Sequence, residues 1–190
     1  MNRLRKRPGK IRIIGGRWRG TRLAVPDLTQ LRPTPDRVRE TVFNWLRNHI
    51  AGSVCLDLYA GTGALGFEAA SRGAARVLMV EHNLRLVESM QQQADALKAN
   101  MVEIVRADAI KWLAVTDLTF DLVFLDPPFG AGLVSRSLEM LNSRSMLRPG
   151  GLIYAEAESG LGMTMAGFQI VKQEQAGQVQ YMLLEQVERE

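Results

Sequence analysis

From Ser53 onward, short apolar runs alternate with amphipathic stretches, so the hydrophobic period switches repeatedly between two residues and about 3.6. The runs at 54–58, 76–80, 102–106, 120–125 and 152–157 predict strands, and 64–71, 84–97, 110–113 and 133–141 predict the helices between them. Strands that are apolar on both faces and separated by helices form a parallel sheet covered on two sides, an α/β fold. Two further alternating segments, 168–175 and 179–186, flank Ala176-Gly177-Gln178 and predict an antiparallel hairpin closing one edge, which makes seven strands.

The chain before Ser53 has a different pattern. Residues 10–14 and 21–25 alternate apolar and basic positions around Gly15-Gly16-Arg17-Trp18-Arg19-Gly20, predicting a small hairpin whose loop displays its arginines and tryptophan. Thr34 before Pro35 predicts a helix cap with proline in the first turn, and Val38, Val42, Phe43, Trp45 and Leu46 recur at helical spacing up to Gly52, with Arg37, Arg39 and Arg47 on other faces. The expected organisation is a basic N-terminal arm and hairpin over 1–33, and a main α/β domain over 34–190.

Charge separates the same two regions. Residues 1–50 hold 13 Lys/Arg against 3 Asp/Glu, a net +10, while the remaining 140 hold 11 against 17, a net −6. A basic block of this size attracts polyphosphate, and Trp18 between Arg17 and Arg19 adds a ring suited to stacking on an unpaired base. Overall the chain is ordinary for a soluble globular protein: 190 residues, 46% hydrophobic and 23% charged. No apolar stretch approaches membrane-spanning length and no hydrophobic segment follows the basic N-terminus, so a cytoplasmic location is expected. One cysteine, Cys55, lies in an apolar run and forms no intramolecular disulfide; two histidines without a Cys/His cluster argue against a metal site.

Two motifs carry chemistry. Gly61-Thr62-Gly63-Ala64-Leu65-Gly66 joins a predicted strand to a helix, and Glu81 ends the next strand 18 residues after Gly63. That spacing fits either a dinucleotide or an adenosyl cofactor. Asp57, on the strand just before the loop, would repel a pyrophosphate and suits the cationic methionyl end of S-adenosylmethionine. Glu81 would then hold the ribose hydroxyls, and Asp108, at the end of the third strand of the series, could accept from the adenine amine. The second motif, Asp126-Pro127-Pro128-Phe129, stands where the apolar run 122–125 stops. It fits methylation of an exocyclic amine on a nucleic-acid base. Asp126 and a carbonyl near Pro127 can each accept one N–H, which turns the nitrogen lone pair toward an electrophilic methyl. Phe129 can stack on the base, and the prolines donate no hydrogen bond and hold the carbonyls rigidly.

Taken with Arg12-Ile13-Ile14-Gly15-Gly16, Trp18-Arg19-Gly20, Leu31-Arg32-Pro33-Thr34, the run from Asp36 to Thr41, Phe43-Asn44-Trp45-Leu46 and Ala176-Gly177-Gln178-Val179, these motifs make the chain resemble the bacterial 16S rRNA guanine-N2 methyltransferase D family over nearly its whole length. The resemblance implies a Rossmann-like, class I S-adenosylmethionine-dependent methyltransferase fold and methylation of a guanine N2 in small-subunit rRNA, with S-adenosylhomocysteine as product. It implies Asp126, Pro127, Pro128 and Phe129 as catalytic residues, and Asp57, Tyr59, Gly61, Gly63, Glu81, Asp108 and Ala109 around the cofactor. Arg12, Arg17, Trp18, Arg19, Arg32 and Arg37 would contact RNA, within a small subunit or an assembly intermediate, with the enzyme a monomer that needs no metal. Pro35 stands where a second threonine is common, and Asn83-Leu84 replaces an Asp-Arg pair after the ribose acid. The alternatives are a DNA adenine-N6 methyltransferase, a non-catalytic RNA-binding assembly factor and a nicotinamide-dependent oxidoreductase.

Overall fold

The computed structural model describes residues 10–26, 35–130, 132–160 and 164–187. The N-terminal hairpin pairs β1 (Lys10–Arg12) with β2 (Arg22–Ala24), Lys10 facing Ala24 and Arg12 facing Arg22. Arg32, Thr34 and residues 1–9 lie outside the described residues. Helix α1 (Asp36–Trp45) begins with Pro35 at its cap position and no side-chain cap. It ends at Trp45, short of the expected Gly52, because Leu46 closes the last turn and residues 46–52 continue as turns.

Seven strands form the main sheet: β3 (Val54–Asp57), β4 (Arg76–Glu81), β5 (Val102–Arg106), β6 (Phe120–Leu125), β7 (Leu147–Glu158), β8 (Phe168–Ala176) and β9 (Val179–Gln186), in the order β5-β4-β3-β6-β7-β9-β8. The first five are mutually parallel, and β9 runs antiparallel between β7 and β8. The mostly parallel sheet with its antiparallel edge hairpin is the one expected. Strand β7 starts earlier than the apolar run at 152–157, since Leu147 pairs with Phe120 across a register shift that absorbs Pro149-Gly150-Gly151.

Helices α2 (Ala64–Ser71), α3 (Leu84–Leu97), α4 (Ala109–Val115) and α5 (Leu133–Ser143) connect the parallel strands. Side-chain alternation along each strand divides the core between the two faces. Cys55, Val77, Met79, Leu122, Phe124 and Tyr154 pack with α1, α2, α3 and the N-terminal hairpin; Leu56, Leu78, Val80, Val123, Leu125 and Ile153 pack with α4 and α5. The hairpin residues Ile11, Ile13 and Leu23 share the first of these clusters, so the hairpin is packed into the core on that side of the sheet. Among the described residues, no helix is long and apolar enough to cross a membrane.

Candidate active site

The chain lays down β3, β4 and β5 outward in one direction, then returns to the other side of β3 with β6. Strand order therefore reverses between β3 and β6, and the loops leaving their C-terminal ends diverge to leave a crevice, the usual ligand site of open α/β sheets. Both sequence motifs fall there: the glycine loop follows β3 and the Asp-Pro-Pro-Phe corner follows β6.

The glycine loop turns through left-handed backbone at Gly61 (φ 54°) and Gly63 (φ 78°), closed by Gly63 N–H donating to Ala60 O at 2.7 Å. Gly66 serves close packing of α2 on β4, since a Cβ there would lie 2.5 Å from Met79 Cε. Beneath the loop, Asp57 is buried and its Oδ2 accepts from Gly66 N–H at 2.9 Å. Burial pushes the Asp57 carboxyl up to about 7, with the Gly66 amide opposing and the Glu81 charge adding to the rise.

Glu81 is nearly buried at the end of β4 and braces the loop: Oε2 accepts from Gly61 N–H at 2.9 Å and Oε1 from Asn83 N–H at 2.8 Å, with His82 Nδ1 3.1 Å from Oε1. Asn83 caps α3, its side chain accepting from Arg85 N–H at 3.0 Å, a use that accommodates its departure from the family's aspartate. Asp108 caps α4 through Lys111 N–H at 2.9 Å. A cleft beside these ends is lined by Tyr59, Glu81, His82, Asp108, Ala109 and Pro128, which brings together four of the seven expected cofactor residues. The other three, Asp57, Gly61 and Gly63, shape the loop behind it. The Tyr59 hydroxyl lies 2.8 Å from Ser137 Oγ on α5, and burial raises its pKa. His82 and Pro128 are cleft residues that spacing alone did not single out for the cofactor.

At the end of β6, Asp126 is half-buried, Pro127 buried, and Pro128 and Phe129 exposed. Phe129 is 44% exposed, which leaves its ring surface open to a partner. Strand β6 is hydrogen-bonded to β3, with Asp57 facing Phe124, so the corner and the glycine loop sit side by side.

The basic loop departs from expectation at one residue. Arg12, Arg17, Arg19 and Arg37 are exposed, but Trp18 is only 7% exposed and belongs to the core. Its indole anchors the loop and is not displayed for stacking. Arg39, expected on an outer face of α1, is also buried: its Nη2 donates to Arg12 O at 2.8 Å and to Asp36 Oδ1 at 2.7 Å. The hairpin is held by two α2 residues that sequence reasoning missed. Glu68, fully buried, accepts from Ile14 N–H at 2.7 Å, Gly15 N–H at 2.8 Å and Arg72 Nε at 2.7 Å. Ser71 Oγ accepts from Trp18 N–H at 2.9 Å and donates to Gly15 O at 2.6 Å. The available signal was a lone glutamate in the otherwise apolar helix 64–71.

Comparison with known proteins agrees with this architecture. The family model described as Conserved hypothetical protein 95 matches residues 11–185. Ribosomal RNA small subunit methyltransferase D of Escherichia coli K12 is 43% identical over 177 residues, covering 92% of this chain and 89% of that protein. The counterpart of the same name from Haemophilus influenzae is 38% identical, covering 92% and 93%. The solved structure of the Escherichia coli protein yhhF superposes with a TM-score of 0.87 at 40% identity, covering 95% of this chain and 100% of that one. With a family model spanning nearly the whole length and relatives of this identity, the chain belongs to the ribosomal RNA small subunit methyltransferase D family.

Proposed function

We propose that this chain is a methyltransferase that uses S-adenosylmethionine to methylate the exocyclic N2 amine of a guanine in 16S rRNA of the small ribosomal subunit. The observation that carries the reading is the Asp126-Pro127-Pro128-Phe129 corner beside the glycine loop, at the point where strand order reverses. The two named relatives are small-subunit rRNA methyltransferases, which supports RNA as the substrate.

The residues present suit the cofactor. Glu81 and Asp108 give the cleft an anionic rim that matches ribose hydroxyls and an adenine amine and opposes a pyrophosphate. The buried Asp57 carboxyl, held near neutrality by desolvation, would be ionised by an adjacent cation. S-adenosylmethionine, when bound, supplies an electrophilic methyl on a sulfonium and leaves as S-adenosylhomocysteine.

The chain's own groups do the rest. Asp126 and the carbonyl near Pro127 accept the two N–H groups of the target amine, which favours a pyramidal nitrogen over the planar ground state. No proton need leave before attack, because the amine becomes acidic only once methylated. Phe129, exposed at the rim, offers a face to a base that has left its stack, an extrusion that costs least in a loop. Arg12, Arg17 and Arg19, which make the N-terminal segment 1–33 an RNA-binding extension of the methyltransferase domain, hold the flanking phosphates together with Arg37 of α1.

The test is to incubate the protein with labelled S-adenosylmethionine and small subunits lacking the modification, and to map the product by mass spectrometry. Label on N2 of one guanine is expected. Label on adenine N6, or none, overturns the proposal.

A further inference from the structure

On the α1 side of the Asp-Pro-Pro-Phe corner lies a group of buried polar side chains that the proposed mechanism leaves unused. Tyr154 is fully buried on β7 and donates to Glu156 Oε1 at 2.6 Å; Glu156 itself is 5% exposed. The Tyr154 phenol is pushed well up by burial, then by the charge and hydrogen bond of Glu156, with the charge of Asp126 and neighbouring Tyr181 adding to the effect. Tyr181 faces Glu156 across the β7–β9 ladder, stacks on Trp45 of α1 with centroids 5.5 Å apart, and donates to Glu174 at 2.7 Å. Leu125 pairs with Ala155, so Asp126 and Glu156 are the next residues on adjacent parallel strands. Asp126 follows Phe124 by two residues and Glu156 follows Tyr154 by two; Phe124 and Tyr154 share one face, with rings 6.3 Å apart.

Asp126 and Glu156 thus set two carboxylates side by side on neighbouring strands. Such a group suits a ligand with several adjacent donors. The Watson–Crick edge of guanine presents N1–H beside the N2 amine, a continuous row of donors. Adenine and cytosine instead place an acceptor ring nitrogen beside their amines, which a carboxylate would repel. Two carboxylates side by side on neighbouring strands therefore match guanine and reject both other amino bases.

Resting on the reading of the chain as a guanine-N2 methyltransferase, we propose that Glu156 is the specificity-determining residue for the target base, accepting N1–H while Asp126 takes the N2 amine. Tyr154 is its positioning residue: the hydroxyl fixes Oε1, and the two oxygens of a carboxylate offer about four acceptor sites. Neighbouring groups among the described residues include Tyr154 on the same strand, Tyr181 and Glu174 from the edge hairpin, Asp126 after β6, and Arg37 of α1, whose charge reaches Tyr181.

The test compares small subunits reconstituted with guanine or 2-aminopurine at the target nucleotide. 2-Aminopurine keeps the N2 amine but has a lone pair where guanine has N1–H. Wild type should prefer guanine by about 10- to 100-fold in kcat/KM, the range for a hydrogen bond to a charged group. In Glu156→Gln the amide carbonyl can still accept from Tyr154 while its NH2 meets the 2-aminopurine lone pair. Guanine turnover should therefore fall about tenfold, 2-aminopurine turnover should rise, and the preference should collapse. Tyr154→Phe should lower the preference less. Cofactor affinity and Tm, measured in each variant, separate a lost fold from a lost contact. Equal preference in wild type and Glu156→Gln, both folded and cofactor-competent, overturns the role of Glu156. Failure of wild type to methylate guanine at all instead overturns the functional reading beneath it.

Discussion

At the residue scale, the site depends on carboxylates whose environments differ more than their sequence contexts. Asp57 and Glu81 both end strands and both brace the glycine loop, and burial pushes the Asp57 carboxyl from 3.8 to about 7. A carboxyl whose folded pKa exceeds its unfolded value contributes stability that is fully present below about 4 and lost as pH rises through about 7. The loss is on the order of 4 kcal/mol for a shift of this size. Asp57→Asn keeps an acceptor for Gly66 N–H and removes the titration. Its Tm should gain on wild type steadily between about pH 4 and about pH 7, and parallel Tm–pH profiles would contradict the burial argument. Asp126 and Glu81 separate by readout. Asp126→Ala should lower turnover at least ~100-fold with cofactor affinity retained, whereas Glu81→Ala should weaken cofactor binding first, as measured by calorimetric titration.

At the element scale, α2 ties the two ends of the molecule's chemistry together. Its N-terminus is set by Gly63 and Gly66 of the glycine motif, and its C-terminal half, through Glu68 and Ser71, holds the basic hairpin. Glu68→Ala would leave the Ile14 and Gly15 amides and Arg72 Nε without this acceptor and the buried Arg39 without a counter-charge 4.0 Å away, a loss of about 3 kcal/mol in denaturant unfolding. Gly16 is a harsher position: a Cβ would fall 1.9 Å from Ser71 O. Strands and helices of the sheet were legible because their period is written in side chains; 64–71, 84–97, 102–106 and 120–125 match the observed bounds. The docking of the hairpin was not, because it is made by main-chain amides meeting one buried glutamate. The same cause explains Trp18 and Arg39. Both sit in basic surroundings that read as surface, and their burial follows from tertiary contacts, Trp18 with Ser71 and Arg39 with Arg12, that no local pattern encodes.

At the scale of the whole molecule, charge and topology place different tasks on different parts. The reversal of strand order brings the glycine loop and the Asp-Pro-Pro-Phe corner to one edge, which spacing could announce because each motif marks a strand end. The carboxylate beside Asp126 was not announced, because only the pairing of Leu125 with Ala155 brings Glu156 next to it, and no local motif spans that distance. Charge, by contrast, is legible from the sequence and makes the last prediction. The exposed arginines Arg12, Arg17, Arg19, Arg22 and Arg37 come from the hairpin and α1, inside the segment of 50 residues that carries a net +10. If these groups neutralise phosphates, binding releases counterions, and log affinity for RNA falls linearly with log salt by about 0.7 to 0.9 per contact. Replacing Arg17 and Arg19 together by alanine should therefore weaken RNA binding and flatten that slope by about 1.4 to 1.8, with cofactor affinity unchanged. The slope is the decisive quantity. A variant that lost affinity because the hairpin undocked would lose more contacts than two and flatten the slope further, as Glu68→Ala should. An unaltered slope in the double variant would mean that the loop arginines touch no phosphate, and the RNA path would then have to run along α1 past Arg37 and Arg47.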